Sequence, residues 1–100
     1  MFVEYEIEKT ERFAHWLNKL KDRKAVLAIL ARLNRAQLGN FGDSKPVGKG
    51  VSEMRIQFGP GYRLYYTIRN RKLILMLCGG VKSTQKSDIA KAREIASQID

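Results

Sequence analysis

The hydrophobic period of this chain switches partway along its length, from the 3.6-residue spacing of helices to the two-residue alternation of strands. A chain patterned this way must pack helices against a sheet. Phe13, Trp16, Leu17 and Leu20 form one helical stripe, and Val26, Ile29, Leu30 and Leu33 form a second. Thr10 and Asp22 stand where each helix needs a capping oxygen, Gly39 is placed to end the second helix, and the short connection between the stripes predicts an antiparallel hairpin. From Val51 onward the period is two. Met54, Ile56 and Phe58 alternate with Glu53, Arg55 and Gln57; Gly59-Pro60-Gly61 turns the chain; Leu64, Tyr66 and Ile68 then alternate with Arg63, Tyr65 and Thr67. A turn near Asn70-Arg71 leads into Lys72 to Cys78, whose unbroken apolar character predicts a strand covered on both faces and ended by Gly79-Gly80. Phe2 to Ile7 also alternates, with Val3, Tyr5 and Ile7 on one face. Ser87 is positioned to cap a last helix with Ile89, Ala92, Ala96 and Ile99 as its stripe. The segment Gly39 to Gly50, with four glycines and a proline and neither period, reads as a long loop. Its lysine-glycine run lacks the spacing of a phosphate loop and precedes a strand pattern, which excludes that motif. The expectation is one α+β domain over residues 1–100: an N-terminal strand, a helical hairpin packed on a mainly antiparallel four-stranded sheet, and a short C-terminal helix.

Composition narrows the function. With 44% hydrophobic residues among 100, one core is feasible without cross-links, and a single cysteine (Cys78) excludes an internal disulfide. One histidine, His15, and no second thiol argue against a zinc site, and no cofactor motif is present. The longest apolar run, Leu73 to Cys78, is far short of the about 20 residues that cross a bilayer. The N-terminal sequence has neither the basic start nor the apolar stretch of a signal peptide, so a cytoplasmic location with no membrane partner is expected. The formal net charge is +9, and since Glu4, Glu6, Glu8 and Glu11 crowd the first residues with only Lys9 opposing them, the body of the domain is more basic still. Such a field draws polyanions or an acidic protein rather than a small neutral substrate.

The charged rows of the meander carry the chemistry. If the Gly-Pro-Gly turn pairs Phe58 with Tyr62, then Gln57 faces Arg63, Arg55 faces Tyr65 and Glu53 faces Thr67, all opposite the apolar row. Burying those arginines under the helices would strand charge in a dry core, so their face is expected to be exposed. Two guanidiniums able to clamp phosphate and a phenol able to stack or move a proton would suit RNA. Lys82, beyond the glycine pair, projects near the same end. Trp16 reads as core and His15 as surface or packing. No Ser-His-Asp set, Cys-His pair or carboxylate dyad is visible.

The order of elements, together with Phe13-Ala14-His15-Trp16-Leu17, Gly39-Asn40-Phe41-Gly42-Asp43, Gly59-Pro60-Gly61-Tyr62-Arg63 and Leu77-Cys78-Gly79-Gly80-Val81-Lys82, resembles the RelE/ParE superfamily of toxins, in its HigB-like addiction-module killer branch. The resemblance spans nearly the whole chain. It implies the toxin of a type II toxin–antitoxin system, neutralised by a small antitoxin, often with a helix-turn-helix domain through which alone operator DNA is met. RelE-like members are ribosome-dependent mRNA endonucleases that need no metal, which makes ribosome and mRNA further expected partners. Position by position, Arg63 matches the arginine of the family's G-Y-R segment and is the candidate for stabilising phosphate charge. Arg55 and Lys82 fall where relatives carry basic residues, and Glu53 is a candidate base by position. Relatives often have a tyrosine or histidine near the C-terminus, where this chain reads Ser87-Asp88-Ile89-Ala90-Lys91; Tyr65 is the candidate substitute. That departure keeps two alternatives open: a ParE-like inhibitor of DNA gyrase without catalysis, and a degenerate antitoxin- or nucleic-acid-binding module. Met76 and Cys78 are expected to offer apolar surface to the antitoxin, on a second hairpin pairing Arg69 with Lys72.

Overall fold

A computed structural model describes residues 4–99 of the chain. Its elements are β1 (Glu6–Lys9), α1 (Glu11–Lys19), α2 (Arg23–Gln37), β2 (Ser44–Gly48), β3 (Val51–Ile56), β4 (Tyr62–Arg69), β5 (Leu73–Val81), a 3-10 turn (Lys82–Thr84) and α3 (Gln85–Ser97). The strands make one sheet in the order β1-β5-β4-β3-β2, antiparallel except for the parallel β1–β5 pair. The sheet therefore has five strands where four were expected. The first strand begins later than its alternation suggested. Phe2 and Val3 lie outside the described residues, while Tyr5 and Ile7 pack against the core as their period requires.

Two of the three predicted caps form. The Thr10 hydroxyl accepts from the Phe13 N–H at 3.1 Å and donates to the Leu77 carbonyl at 2.7 Å, tying the start of α1 to β5. The Asp22 carboxylate accepts from the Lys24 and Ala25 N–H groups at 3.0 and 3.3 Å. The stripe of α2 is rotated from the predicted one. Ala25, Ile29, Leu33 and Ala36 are buried, whereas Leu30 is 38% exposed and Leu27 59%. Alanines let the helix approach the sheet closely, so the inward face follows the small residues rather than the largest ones.

The segment from Gly39 to Gly50 is not structureless: Ser44–Gly48 is β2, paired with β3. Lys49 (φ 59°) and Gly50 (φ 76°) are both left-handed, as a two-residue hairpin turn of the type I′ kind requires. Pro46 is tolerated because β2 is an edge strand, and the ladder is irregular between Pro46 and Gly48. A strand this short, carrying glycine and proline, leaves no period to read.

Across β3 and β4 the register pairs Ile56 with Tyr62, Arg55 with Arg63 and Glu53 with Tyr65, two residues from the predicted pairing. An even slip leaves every side chain on its predicted face. One face, with Met54, Ile56, Leu64 and Tyr66, packs on Phe13, Ile29 and Leu33 of the helical hairpin. The other face is not exposed. α3 lies over it, and Val51, Tyr65, Leu75, Leu77 and Cys78 form a second core with Ala92 and Ala96. An irregularity between Tyr65 and Tyr66 makes Leu77 an extra residue in β5. Met76 consequently turns to the helical hairpin and Cys78 to α3; both are buried, and neither offers surface to a partner. The same hairpin pairs Arg69 with Leu73 rather than with Lys72.

β5 continues through Gly79 and Gly80, which pair with Leu64 and Arg63, instead of ending there. The indole of Trp16 rests on Gly79, where a Cβ would come within 2.4 Å of the ring. Gly79→Ala is expected to destabilise the fold by about 1–3 kcal/mol, because the ring must leave a packed position. Thermal unfolding of the variant checks this, and an unchanged midpoint would contradict the contact. The last helix starts at Gln85 with Thr84 at its cap position; Ser87 sits in the first turn, its hydroxyl donating to the Thr84 carbonyl at 3.1 Å. Among the described residues no helix is long and apolar enough to cross a membrane.

Candidate functional site

The β3–β4 turn, the end of β5 and the start of α3 enclose a cavity of about 610 Å³. Its wall includes Lys45 from β2, Arg55 from β3, Tyr62 and Arg63 from β4, and Lys82 and Gln85 beyond β5. Four of these residues are basic, and no carboxylate is among the lining residues.

The arginines are held from behind. Glu53, in mid-β3, is 0% exposed, and its Oε1 lies 3.3 Å from Arg63 Nη1 and 3.9 Å from Arg55 Nε. Its Oε2 accepts from the Tyr65 hydroxyl at 3.2 Å and from Gln85 Nε2 at 2.7 Å. A buried carboxylate survives only with such company. Arg63 itself is 8% exposed. Arg55 has a second partner on its outer side, Asp43, at 3.4 Å. The loop carrying Asp43 is pinned by Arg32 of α2, whose guanidinium donates to the carbonyls of Arg55 at 2.6 Å and Phe41 at 3.1 Å. Burial, then the charge of Arg35, lowers the pKa of Arg32.

Burial, reinforced by the charge of Glu53, pushes the Tyr65 phenol well above its usual pKa. It is a neutral hydrogen-bond donor inside the second core and does not line the cavity. Arg55 Nε and Arg63 Nε are buried without a hydrogen-bond partner among the described residues, Arg55 Nε keeping only the longer contact to Glu53. Two guanidiniums beside two lysines on one wall are chemically matched to a phosphate group.

Of the residues singled out in the sequence, Arg55, Arg63 and Lys82 meet at the cavity. Glu53 and Tyr65 stand behind its wall. Lys45, Tyr62 and Gln85 were not anticipated as site residues. Lys45 pairs with Glu53 in the β2–β3 ladder and would follow from recognising that hairpin; Tyr62 was visible in the Gly-Tyr-Arg run but was not assigned a role; Gln85 carries no local signal. His15 is exposed on α1, beside a different cavity with Arg12, Trp16 and Lys19. Burial, with the charge of Asp88, pushes the Cys78 thiol up to about 11, so it stays protonated at neutral pH. No cluster of three or more metal-ligating side chains occurs among the described residues.

A helical hairpin on one face of this sheet, a helix on the other and a cationic cavity at the end of the central hairpin make an α+β fold shared with solved toxin structures. The fold matches a mutant of the Escherichia coli toxin RelE in the free state over 97% of this chain and 99% of that one, with TM-score 0.73 and 18% identity. It also matches a chain of the toxin–antitoxin complex RelBE2 from Mycobacterium tuberculosis over 80% of this chain and 100% of that one, with TM-score 0.64 and 20% identity. The chain belongs to the phage-derived Gp49-like protein family (DUF891), whose profile matches residues 15–98. An uncharacterised protein of Haemophilus influenzae is 47% identical over 94 residues, covering 94% of this chain and 95% of the relative.

Proposed function

We propose that this protein is the toxin of a toxin–antitoxin pair and that it cleaves messenger RNA on the ribosome, holding the scissile phosphate in the cationic cavity. The observation that carries the reading is the set of four basic residues on a cavity wall that includes no carboxylate, two of them arginines anchored from behind by Glu53. In such a cleavage the 2′-hydroxyl attacks the adjacent phosphorus, the P–O5′ bond breaks, and a cyclic phosphate and a 5′-hydroxyl result. Arg63 and Arg55 stabilise the charge that builds on the non-bridging oxygens, and Lys82 and Lys45 add to the field. In this reading Glu53 holds the arginines rather than serving as the base, a role supported by the engagement of both its oxygens inside the protein. Tyr62 supplies the phenol at the wall that Tyr65 does not.

Mapping of mRNA 5′ ends minutes after a brief induced pulse tests this. New ends within translated frames are expected from the parent and from Tyr65→Phe, with fewer from Tyr62→Phe. Intact messages with double-strand DNA breaks would replace the reading with gyrase inhibition, and unimpeded growth would reduce the protein to a binding module.

The antitoxin's seat follows from the exposed apolar strip. Leu27 and Leu30 of α2, with Val26 and Leu20, line a groove flanked by Lys21 and Arg23. Its charge suits an acidic amphipathic segment, which would cover the leucines while pairing with the rim. The product of the neighbouring gene is expected to co-purify with the parent, and Leu27→Glu/Leu30→Glu to weaken that association by about 100-fold. Equal retention of the double variant at low and high salt would place the antitoxin elsewhere.

A further inference from the structure

The hydrogen bonds around Glu53 single out one residue. Arg55 shares a strand with Glu53, and Arg63 and Tyr65 come from the neighbouring strand β4, so their positions are set by the ladder. Among the described partners of this carboxylate, Gln85 alone comes from outside β3 and β4. It is the first residue of α3, and its amide makes the shortest contact in the cluster, at 2.7 Å to Oε2. It also lines the cavity. One carboxylate is thus held on Oε2 by α3 and in turn holds both arginines on Oε1.

We infer that Gln85 is a positioning residue: through Glu53 it fixes the directions of the Arg55 and Arg63 guanidiniums, and so couples the seating of α3 to the anion-holding geometry of the cavity. Three physical points support this. A carboxylate bonded on one oxygen by a neutral amide and a phenol cannot rotate about its terminal bond without losing both, so its other oxygen keeps a fixed direction toward the arginines. The contacts to the arginines, at 3.3 and 3.9 Å, are looser than a tight bidentate pair, so their alignment depends on where Glu53 points. The amide is uncharged and leaves the cationic field of the cavity intact, whereas a lysine at this position would satisfy Glu53 by drawing it away from the arginines.

The consequence for RNA cleavage rests on the function proposed above; the consequence for the arginines does not. The test uses Gln85→Met, which keeps an unbranched chain and removes the amide, and Gln85→Glu, which sets a second carboxylate against Glu53. The first readout is the pair of Arg55 and Arg63 Nε–H signals in a ¹H–¹⁵N spectrum, assigned by Arg55→Lys and Arg63→Lys, with and without inorganic pyrophosphate as the anion probe. In the parent both signals are expected to be dispersed, slow to exchange and shifted by pyrophosphate. In both variants they should collapse toward the averaged position of free arginine while α3 amides stay in place. The second readout is cleavage of a ribosome-bound message, where kcat should fall on the order of 10–100-fold with KM held within about twofold.

Arginine signals that keep their dispersion and their response to pyrophosphate in Gln85→Met would overturn the inference, whatever happens to cleavage. Arginine signals that collapse in a protein whose parent cuts no message would uphold the positioning role and remove the nuclease reading. If Gln85→Met loses its α3 amides as well, Gln85→Glu decides by the same two signals.

Discussion

Replacing Arg63 with alanine is expected to lower message cleavage by about 10²–10³-fold while the protein stays folded, and with it to relieve growth arrest. Arg63 is one of two arginines at the cavity whose Nε–H is buried and unpartnered, and its other end is anchored on Glu53. In the proposed cleavage these are the donors that meet the charge building on the phosphate, oriented beforehand by that anchor. Alanine removes them without leaving Glu53 bare, since Arg55, Tyr65 and Gln85 still surround that carboxylate. Arg63→Lys should recover only part of the loss, because an ammonium offers the charge without the planar fork. Cleavage assays of the two variants at matched folded concentration measure this. An Arg63→Ala protein that cuts as well as the parent would show that the phosphate is held elsewhere.

Glu53→Ala is expected to act on stability more than any exchange at the cavity wall. It leaves Arg63, 8% exposed, without its anion and strips the buried Tyr65 hydroxyl and the half-buried Gln85 amide of an acceptor. Truncating one partner of such a buried pair costs on the order of 3 kcal/mol, and in a domain of this length that lowers the melting midpoint by about 15 °C. Arg55 adds little to this loss, since its side chain is 35% exposed and keeps Asp43. Glu53→Gln, which retains acceptor oxygen, should fall between parent and alanine. Thermal unfolding of the three proteins gives the answer, and a midpoint shift under about 2 °C for Glu53→Ala would mean that water already shares the pair.

Much of the fold was legible because period and caps are local properties. Thr10 and Asp22 announce their helices, and the alternation from Val51 sorts side chains between faces even though the pairing is displaced by two residues. What escaped was set by partners distant in sequence. β2 was hidden because Pro46 and Gly48 are poor strand formers, and only their place at the sheet edge allows them. The cover over the Arg55–Tyr65 face was missed for a different reason. Arginines can lie under a helix when an anion accompanies them, and Glu53 supplies it from within the same face. α3 itself touches the sheet with Ala92 and Ala96, side chains too small to advertise a large buried surface. Gln85 could not be found from sequence at all, since a glutamine at the start of a helix reads as solvent-exposed until its carboxylate partner, in the strand 32 residues earlier, is known.

The pairing of β1 with β5 bears on how the protein is born. Glu6 meets Leu73, and Thr10 reaches the Leu77 carbonyl, so these residues find their places only when partners 67 positions later in the chain are available. The cavity wall is finished later still, by Lys82 and Gln85. A nascent chain halted before Lys82 thus has helices and a partial hairpin but no completed pocket, so the anion-holding geometry comes into being only as α3 is made.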